Sequence, residues 1–305
     1  MMDNARPKYR GVFCPAVTPL DGEGRVDLEA AGTLYEHLIA GGLDGIVVLG
    51  SIGEFQAIDP EEKRRLIRFA VDHAAGRCKI IAGTGGTVMR EVVDLTRFAE
   101  DAGADAAMII PPYYFPVGEV GLLNYYGTVA EAVEMDILLY SFPARTGYEL
   151  PVDVIAELAG SYANIIGIKD TIDSISHTRA IVNAIADRRS DFAVLSGFDE
   201  YIYVNLLGGG AGTVNGLTNL VPRLFREAFD AFDSRDAGRM HEIQMRINAL
   251  MPIYTAAPNF VATFKYAASL VIPGMQPHCA PPERSLTPPE QHTVQVLLGE
   301  AGITA

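Results

Sequence analysis

The feature that most constrains the fold is a repeat of short apolar runs, rich in Val and Ile, that alternate with longer segments of helical pattern. Eight runs recur at intervals of mostly about 30 residues, which is the length of one βα unit. They begin near Gly11, Asp44, Lys79, Asp105, Asp136, Asn164, Asp191 and Gly210. Continuous apolar runs are typical of parallel strands buried on both faces. Eight regular units favour an α/β fold of the (β/α)8 TIM barrel type over an open doubly wound sheet.

The segments between the runs carry helix signals. "DPEEKRRLIRFAVDHA" opens with Asp59-Pro60 and acids in its first turn, and "TVMREVVDLTRFAEDAG" ends in glycine. After Pro222 the runs stop, and "AGRMHEIQMRINALM", "NFVATFKYAASLVI" and "PPEQHTVQVLLGEAG" predict a helical C-terminal extension. We therefore predict a barrel domain over residues 8–225 and a helical region packed on it over residues 226–305. The proline-rich connector "PGMQPHCAPPERSLTPPE" is interpreted as an ordered surface crossing.

Charge and composition exclude several classes of function. The formal net charge of −14 on 305 residues repels a phosphate backbone, so we expect no nucleic-acid partner and no membrane partner. No apolar run is long enough to span a bilayer, and the N-terminus lacks a signal-peptide pattern, which predicts a cytoplasmic protein. The three cysteines and six histidines are scattered without metal-ligand spacing, so we expect no metal site. A small molecule is the expected partner.

Lys169 is the candidate catalytic residue. It is one of only five lysines and closes the sixth run, "NIIGIKD", at the end of a strand where barrels of this type carry their chemistry. Desolvation there lowers a lysine pKa from about 10.4, and the neutral amine can attack a ketone to form a Schiff base. The alternative is a strand-end lysine that reaches solvent or pairs with Asp170.

Two neighbouring runs offer the other groups that imine chemistry needs. Tyr140 closes the fifth run, "LLYSFPARTG", 29 residues before Lys169, so it should stand on the adjacent strand as a general acid–base. The alternative for Tyr140 is an amphipathic tyrosine between core and water. "LGSIGEF" follows the second run, where Gly50 and Gly53 allow a carboxylate to approach the Ser51 hydroxyl and the backbone N–H groups. Such a turn alternatively only begins a helix.

Six motifs in order, "AVTPLDGEGRVD", "LGSIGEF", "PPYYFPVGE", "LLYSFPARTG", "IIGIKDT" and "LSGFDE", resemble the N-acetylneuraminate lyase and dihydrodipicolinate synthase superfamily of pyruvate-linked class I aldolases. The resemblance implies a (β/α)8 barrel with C-terminal helices and a homotetramer built as a dimer of dimers. It also implies a keto acid substrate held as a covalent lysine imine, with no separate cofactor.

By the same resemblance, Lys169 is the Schiff-base lysine and Tyr140 transfers protons. Ser51 and the Ile52 amide would hold the pyruvyl carboxylate, and Tyr114 in "PPYYF" matches a tyrosine that a neighbouring subunit contributes. We also predict that Gly197 and Val214 line the substrate site.

One departure narrows the function. Dihydrodipicolinate synthases have a threonine where this chain has Ile52, and an isoleucine cannot take part in their hydroxyl relay. "GTGGTVMREVVDL", "PPYYFPVGE" and "NIIGIKDTIDSISHTR" look closest to aldolases of 2-keto-3-deoxy-gluconate or 2-keto-3-deoxy-pentonate. We therefore predict a lyase that cleaves such a sugar acid to pyruvate and an aldehyde.

Arg145 favours an alternative. Dihydrodipicolinate synthases use an arginine at this position to hold a second carboxylate, so condensation of pyruvate with aspartate semialdehyde stays open. A keto-deoxy acid dehydratase of the same superfamily, or a barrel that only senses a keto acid, also stays open. Arg145 alternatively only steadies its loop.

Three other signals stay ambiguous. The eighth run, "LGGGAGTVNG", reads as a phosphate cradle or, without a following Lys-Ser or Lys-Thr, as close glycine packing near the substrate. Asp199 and Glu200 in "SGFDE" could contact sugar hydroxyls or serve as acids at a helix N-terminus, and Glu54 carries the same two interpretations.

Overall fold

The structure, a computed structural model, describes residues 7–186 and 188–303. Its strands are Gly11–Pro15 (β1), Gly45–Val48 (β2), Lys79–Gly83 (β3), Ala106–Ile109 (β4), Asp136–Ser141 (β5), Ile165–Asp170 (β6), Ala193–Ser196 (β7) and Gly212–Val214 (β8). Their order is that of a closed barrel, β1 to β8, with parallel neighbours. Every strand begins within about two residues of its predicted position, and the predicted (β/α)8 fold is confirmed.

Helices follow the strands as predicted. They are Leu28–Ala40 (α1), Pro60–Ala74 (α2), Met89–Asp101 (α3), Glu119–Ala130 (α4), Pro143–Thr146 (α5), Val152–Ser161 (α6), Ile175–Ala186 (α7), Ile202–Leu207 (α8), Pro222–Asp233 (α9), Ala237–Leu250 (α10), Phe260–Val271 (α11) and Pro288–Glu300 (α12). Proline stands at the start of α2, behind Asp59, and Gly103 follows α3 with a φ of 89°. None of the helices in the described ranges combines the length and the apolar character that a bilayer crossing requires.

Contacts divide the chain into two compact units. Among the described residues, the first unit comprises residues 7–12 together with Ile81–Asn215, and the second comprises Phe13–Ile80 and residues 216–303. The predicted domain boundary at 225/226 falls inside α9, and the division at that point stays a prediction.

In the second unit, the proline-rich connector is ordered. Met275, Ala280 and Leu286 are buried, and Pro277 forms a β-bridge with Leu20.

The pairing of β5 with β6 in the first unit sets the geometry of the candidate site. The register shifts between Ile137, which pairs with Ile165, and Leu138, which pairs with Gly167. Such a bulge changes which side chains face each other further along the strands. Beyond the shift, Tyr140 pairs with Lys169.

Gly167 makes this close pairing sterically feasible. A Cβ atom at Gly167 would lie 2.6 Å from Leu138 Cδ2 and 2.7 Å from the carbonyl oxygen of Ala193 on β7. The carbonyl is part of the sheet and cannot move away without disturbing it. This explains why a glycine interrupts an otherwise apolar run.

We therefore expect Gly167→Ala to destabilise the protein by about 1–3 kcal/mol, because the added methyl group overpacks the strand interface. Gly160→Ala, near the end of α6, is the matched control, since nothing lies within 4 Å of its added Cβ and alanine favours a helix. Thermal unfolding midpoints should fall for Gly167→Ala and stay or rise for Gly160→Ala. Equal midpoints for Gly167→Ala and the wild type would show that the strands have room.

Candidate active site

Lys169 lies in a nearly closed environment at the end of β6. The residue is 5% exposed, and its Nζ lies 4.5 Å from the centroid of the Tyr140 ring on β5. Tyr140 itself is 3% exposed. This burial rules out the alternative in which Lys169 reaches solvent, and it brings the two residues predicted to carry the chemistry into contact.

Asp170 does not serve as the partner of Lys169. Successive strand residues point to opposite faces, and the Asp170 carboxylate contacts α7, where it accepts a hydrogen bond of 2.8 Å from Thr178 Oγ1. Both of its oxygens lie 3.2 Å from His177 Nδ1. The hydrogen bond to Asp170 raises the pKa of His177 above its usual range, although burial opposes this, and the charges of Asp170 and Glu149 add to it. Sequence reasoning missed this network, although the stretch "KDTIDSISHTR" contains Asp170, His177 and Thr178 together.

Thr171 was also missed. It is 9% exposed, and its Oγ1 is buried without a hydrogen-bond partner among the described residues. A Cβ atom added to Gly197, a predicted site residue, would overlap this oxygen, so only glycine leaves room for the Thr171 side chain. Two residues beyond Lys169, Thr171 offers an unused hydroxyl. The alternation of side chains along a strand would have indicated it.

The Phe142 ring contacts both Tyr140 and Arg145. The Tyr140 ring stacks with Phe142 at a centroid distance of 5.9 Å, and the Arg145 guanidinium carbon lies 5.7 Å from the Phe142 centroid. Arg145 is exposed on the short helix α5. The structure therefore brings this predicted residue close to Phe142, the neighbour of Tyr140.

The ends of β7 and β8 are buried and hydrogen-bonded. Val214, a predicted site residue, is fully buried on β8. Thr213 Oγ1 donates 3.1 Å to the carbonyl of Ser196, and it accepts 2.7 Å from Asn215 Nδ2. The bond to Ser196 holds the end of β8 against β7, and the bond from Asn215 orients the Thr213 hydroxyl.

Asp199 and Glu200 begin a short 3-10 helix, Asp199–Tyr201. Asp199 is buried, and burial raises the pKa of Glu200, with a further contribution from Asp173. The Tyr201 hydroxyl donates a hydrogen bond to Asp173, which raises the pKa of Tyr201 to about 12. Their position fits acids at a helix start, and the alternative of sugar contacts stays open.

Tyr114 is the one predicted catalytic residue that lies at the surface. It is 86% exposed, and its ring packs edge-on against Phe115 at 4.9 Å. Its φ of 85° is unusual for a residue other than glycine, so the backbone of the loop is strained at this position.

The predicted carboxylate-binding residues form a tight turn in the second unit. Phe55 N donates to the carbonyl of Gly50, and Thr18 Oγ1 donates 2.7 Å to the carbonyl of Gly53. Ser51 is half-buried, and Ile52 is 5% exposed. Sequence reasoning placed this turn correctly after β2.

Glu54, at the end of this turn, has a third role that neither sequence interpretation included. Its carboxylate pairs with Lys265, which is fully buried in α11. Burial lowers the pKa of Lys265, while the Glu54 charge opposes this and favours the ammonium form. The residues are far apart in sequence, so no spacing could have indicated the pair.

The chain resembles known proteins over nearly its whole length. The profile of the dihydrodipicolinate synthetase family matches residues 8–301. YagE and YjhH of Escherichia coli K12 bear provisional names as a 2-dehydro-3-deoxy-D-gluconate aldolase and a 2-dehydro-3-deoxy-D-pentonate aldolase. YagE is 34% identical over 95% of this chain and 96% of its own length, and YjhH is 31% identical over 97% and 98%.

A relative that is named as a synthase matches a shorter part of this chain. The 4-hydroxy-tetrahydrodipicolinate synthase of Nitrosomonas europaea is 38% identical over 78% of this chain and 80% of its own length. Among solved structures, that of YagE in complex with pyruvate superimposes with a TM-score of 0.94, covering 97% of this chain and 99% of YagE.

The raised pKa of His177 predicts a pH-dependent contribution to stability. Protonated His177 stabilises the fold fully below the unfolded-state pKa of about 6.5, and this contribution is lost as the pH rises through the raised pKa. Wild type should therefore exceed His177→Asn in thermal stability most strongly at acidic pH, and the difference should shrink above neutrality. Unfolding midpoints measured from about pH 5 to about pH 9 check this. His292→Asn, at an exposed site on α12, controls for loss of a histidine, and a pH-independent His177 difference would contradict the assignment.

Proposed function

The chain belongs to the dihydrodipicolinate synthetase family, and from this membership we propose a specific reaction for it. The proposed activity is that of a Schiff-base-forming lyase that cleaves a 2-keto-3-deoxy sugar acid, of the gluconate or pentonate type, to pyruvate and an aldehyde. The observation that carries the proposal is the buried Lys169, whose amine lies over the ring of Tyr140. An amine and a phenol on adjacent strands are the two groups that imine chemistry requires.

The proposed reaction begins when neutral Lys169 Nζ attacks C2 of the keto acid. The carbinolamine loses water as Tyr140 donates a proton to the departing hydroxyl group, and an iminium ion and a phenolate remain. The phenolate then removes the C4 hydroxyl proton, the C3–C4 bond breaks, and its electrons flow into the iminium to give an enamine and an aldehyde. Tyr140 protonates C3 and becomes a phenolate again. Water then hydrolyses the pyruvyl iminium ion to pyruvate and the free amine, and the proton released restores the Tyr140 phenol.

We assign the pyruvyl carboxylate to the turn after β2. The Ser51 hydroxyl and the Ile52 N–H would donate to it, and Gly50 would allow close approach. Gly197 and Val214 are proposed to line the same substrate site. The absence of a side chain at Gly197 leaves room for Thr171, whose buried hydroxyl is available to a substrate oxygen.

Ile52 favours sugar-acid cleavage over synthase chemistry. Its buried, apolar side chain cannot relay a proton, whereas the cleavage proposed above needs only Tyr140. The provisional names of YagE and YjhH agree with this choice.

A second function, condensation of pyruvate with aspartate semialdehyde, is favoured by one observation. Arg145 is an exposed residue beside Phe142, and a guanidinium group suits a distal carboxylate. The relative from Nitrosomonas europaea carries the corresponding synthase name. A keto-deoxy acid dehydratase would share the imine and differ only in its product.

The proposal extends to the assembly and the setting of the enzyme. The exposed Tyr114, on a backbone of unusual φ, suits a ring that enters the site of a neighbouring subunit, in a homotetramer arranged as a dimer of dimers. The imine makes the lysine itself the electron sink, so the reaction needs no further cofactor. We place the enzyme in the cytoplasm.

Borohydride reduction in the presence of pyruvate should trap a covalent adduct on Lys169, because reduction converts the imine to a stable secondary amine. Peptide mass spectrometry locates the adduct. Lys169→Ala should form no adduct, and Tyr140→Phe should lose about a hundred- to ten-thousand-fold in turnover, the usual contribution of general acid–base catalysis. Lys63→Ala, at a partly exposed site on α2, is the control for loss of a lysine. An adduct on any lysine other than Lys169, or none in the wild type, would refute the mechanism.

The substrate is tested by a pyruvate-release screen over 2-keto-3-deoxy acids of different length and configuration, including N-acetylneuraminate. We expect the highest kcat/KM for a gluconate- or pentonate-type acid. Parallel assays with aspartate semialdehyde and for dehydrated keto acid products distinguish the alternatives. If condensation exceeds cleavage by more than about tenfold, which corresponds to about 1.4 kcal/mol in transition-state stabilisation, the synthase assignment replaces the lyase assignment.

A further inference from the structure

The turn that ends in Glu54 is attached to the C-terminal part of the second unit by buried polar contacts. Glu54 Oε1 accepts a hydrogen bond of 2.8 Å from Ala280 N, and the carboxylate also pairs with Lys265 Nζ on α11. Lys265 Nζ in turn donates 2.7 Å to the carbonyl of His278. The side chains of Lys265 and Glu54 are 0% and 4% exposed. Three contacts therefore join the turn to the 278–280 segment, and each of them involves the Glu54 carboxylate or the Lys265 ammonium group.

A buried ion pair of this kind needs a reason beyond stability. Removing two charges from water costs about as much as their attraction returns, so an apolar pair of similar volume often stabilises a fold equally well. What the ion pair adds is a fixed position and orientation for the Glu54 carboxylate. The carboxylate must lie where both Ala280 N and Lys265 Nζ reach it, and this specifies the position of the Glu54 side chain.

The backbone at Glu54 shows why the turn needs such a constraint. Its φ of 57° lies in the left-handed region, which residues with a Cβ atom seldom occupy without support. Thr18 holds the preceding carbonyl, that of Gly53, from the other side of the turn. If Glu54 were released, the backbone could relax and rotate the amides that precede it, including that of Ile52.

We propose that Glu54 and Lys265 are a positioning pair, which holds the Gly50–Glu54 turn in the conformation that binds the carboxylate of the substrate. This rests on the proposed function, which assigns the carboxylate to Ser51 and the Ile52 amide. Neither member of the pair needs to touch the substrate. The C-terminal helix α11 thereby determines how tightly the enzyme holds a keto acid, and the imine chemistry at Lys169 proceeds by its own groups.

The decisive variant is Glu54→Gln/Lys265→Met. It removes both charges with little change in volume, so no unpaired charge stays buried and the fold should melt within a few degrees of the wild type. In this variant the side chain at position 54 has no ammonium group to orient it, so its position is no longer fixed. A misplacement of about 1 Å can cost about a hundredfold in a reaction. We therefore expect the pyruvate concentration that gives half-maximal borohydride trapping to rise by about tenfold or more.

Leu298→Ala is the matched control. Leu298 is a buried core residue on α12, and its truncation lowers the melting temperature through a cavity without involving the turn. Its half-saturating pyruvate concentration should stay within about twofold of the wild type, because the apolar Leu298 side chain takes no part in the three polar contacts that hold the turn. Glu54→Asp is a second test should the double variant not fold, because it keeps both charges and shortens the carboxylate arm. It should also raise the half-saturating concentration.

Hydrogen exchange of the peptide that covers residues 50–58 gives a readout independent of catalysis. The amides of the turn should exchange faster in the double variant and at the wild-type rate in Leu298→Ala. Wild-type pyruvate saturation and wild-type exchange in the double variant would overturn the proposal, as would an equal shift in Leu298→Ala. A wild-type protein that traps no pyruvate refutes the proposed function instead, and the exchange rates then decide the positioning role alone.

Discussion

The register of β5 against β6 is the constraint on which the candidate site depends. Side chains alternate along a strand, so a slip of one residue would exchange the inner and outer faces. The shift between Ile137 and Leu138 sets Tyr140 opposite Lys169, and the missing side chain at Gly167 lets β6 approach both of its neighbours. The same alternation turns Asp170 to the outer face, where His177 and Thr178 occupy its carboxylate. A carboxylate one residue away from the Lys169 amine is thereby kept from pairing with it.

Two of the five lysines are buried, and their surroundings differ in a way that matches different tasks. Lys265 has a carboxylate and a carbonyl as partners, and this arrangement suits a permanent charge with a structural role. Within the described residues, Lys169 has the face of an aromatic ring instead. A ring face attracts a cation less strongly than a carboxylate does, so it can stabilise the cationic imine of the proposed reaction without binding the amine in an ion pair. An ion pair would favour one protonation state and oppose nucleophilic attack.

The parts of this fold that could be predicted from sequence are those that repeat at a regular interval along the chain. All eight strands were found because βα units recur at a nearly constant length, and Tyr140 was placed beside Lys169 because their separation equals one repeat. The Glu54–Lys265 pair has no such period, since it depends on where the C-terminal helices pack. Predicting the partners of Asp170 requires knowing which side of β6 its side chain faces. Predicting the role of Gly197 requires knowing where the Thr171 side chain lies.

In the proposed function, the two residues that point to different substrates are assigned to different ends of the bound molecule. Ile52 concerns the imine end, where the absence of a hydroxyl group limits how protons can travel. Arg145 is proposed for the distal end, where a guanidinium group near Phe142 can bind a carboxylate and can equally donate to the hydroxyl groups of a sugar chain. Proton transfer at the imine end is required for any turnover, whereas a distal donor adjusts affinity among substrates that already react. Ile52 is therefore the better guide to the type of reaction, and Arg145 is the better guide to which acid binds most tightly.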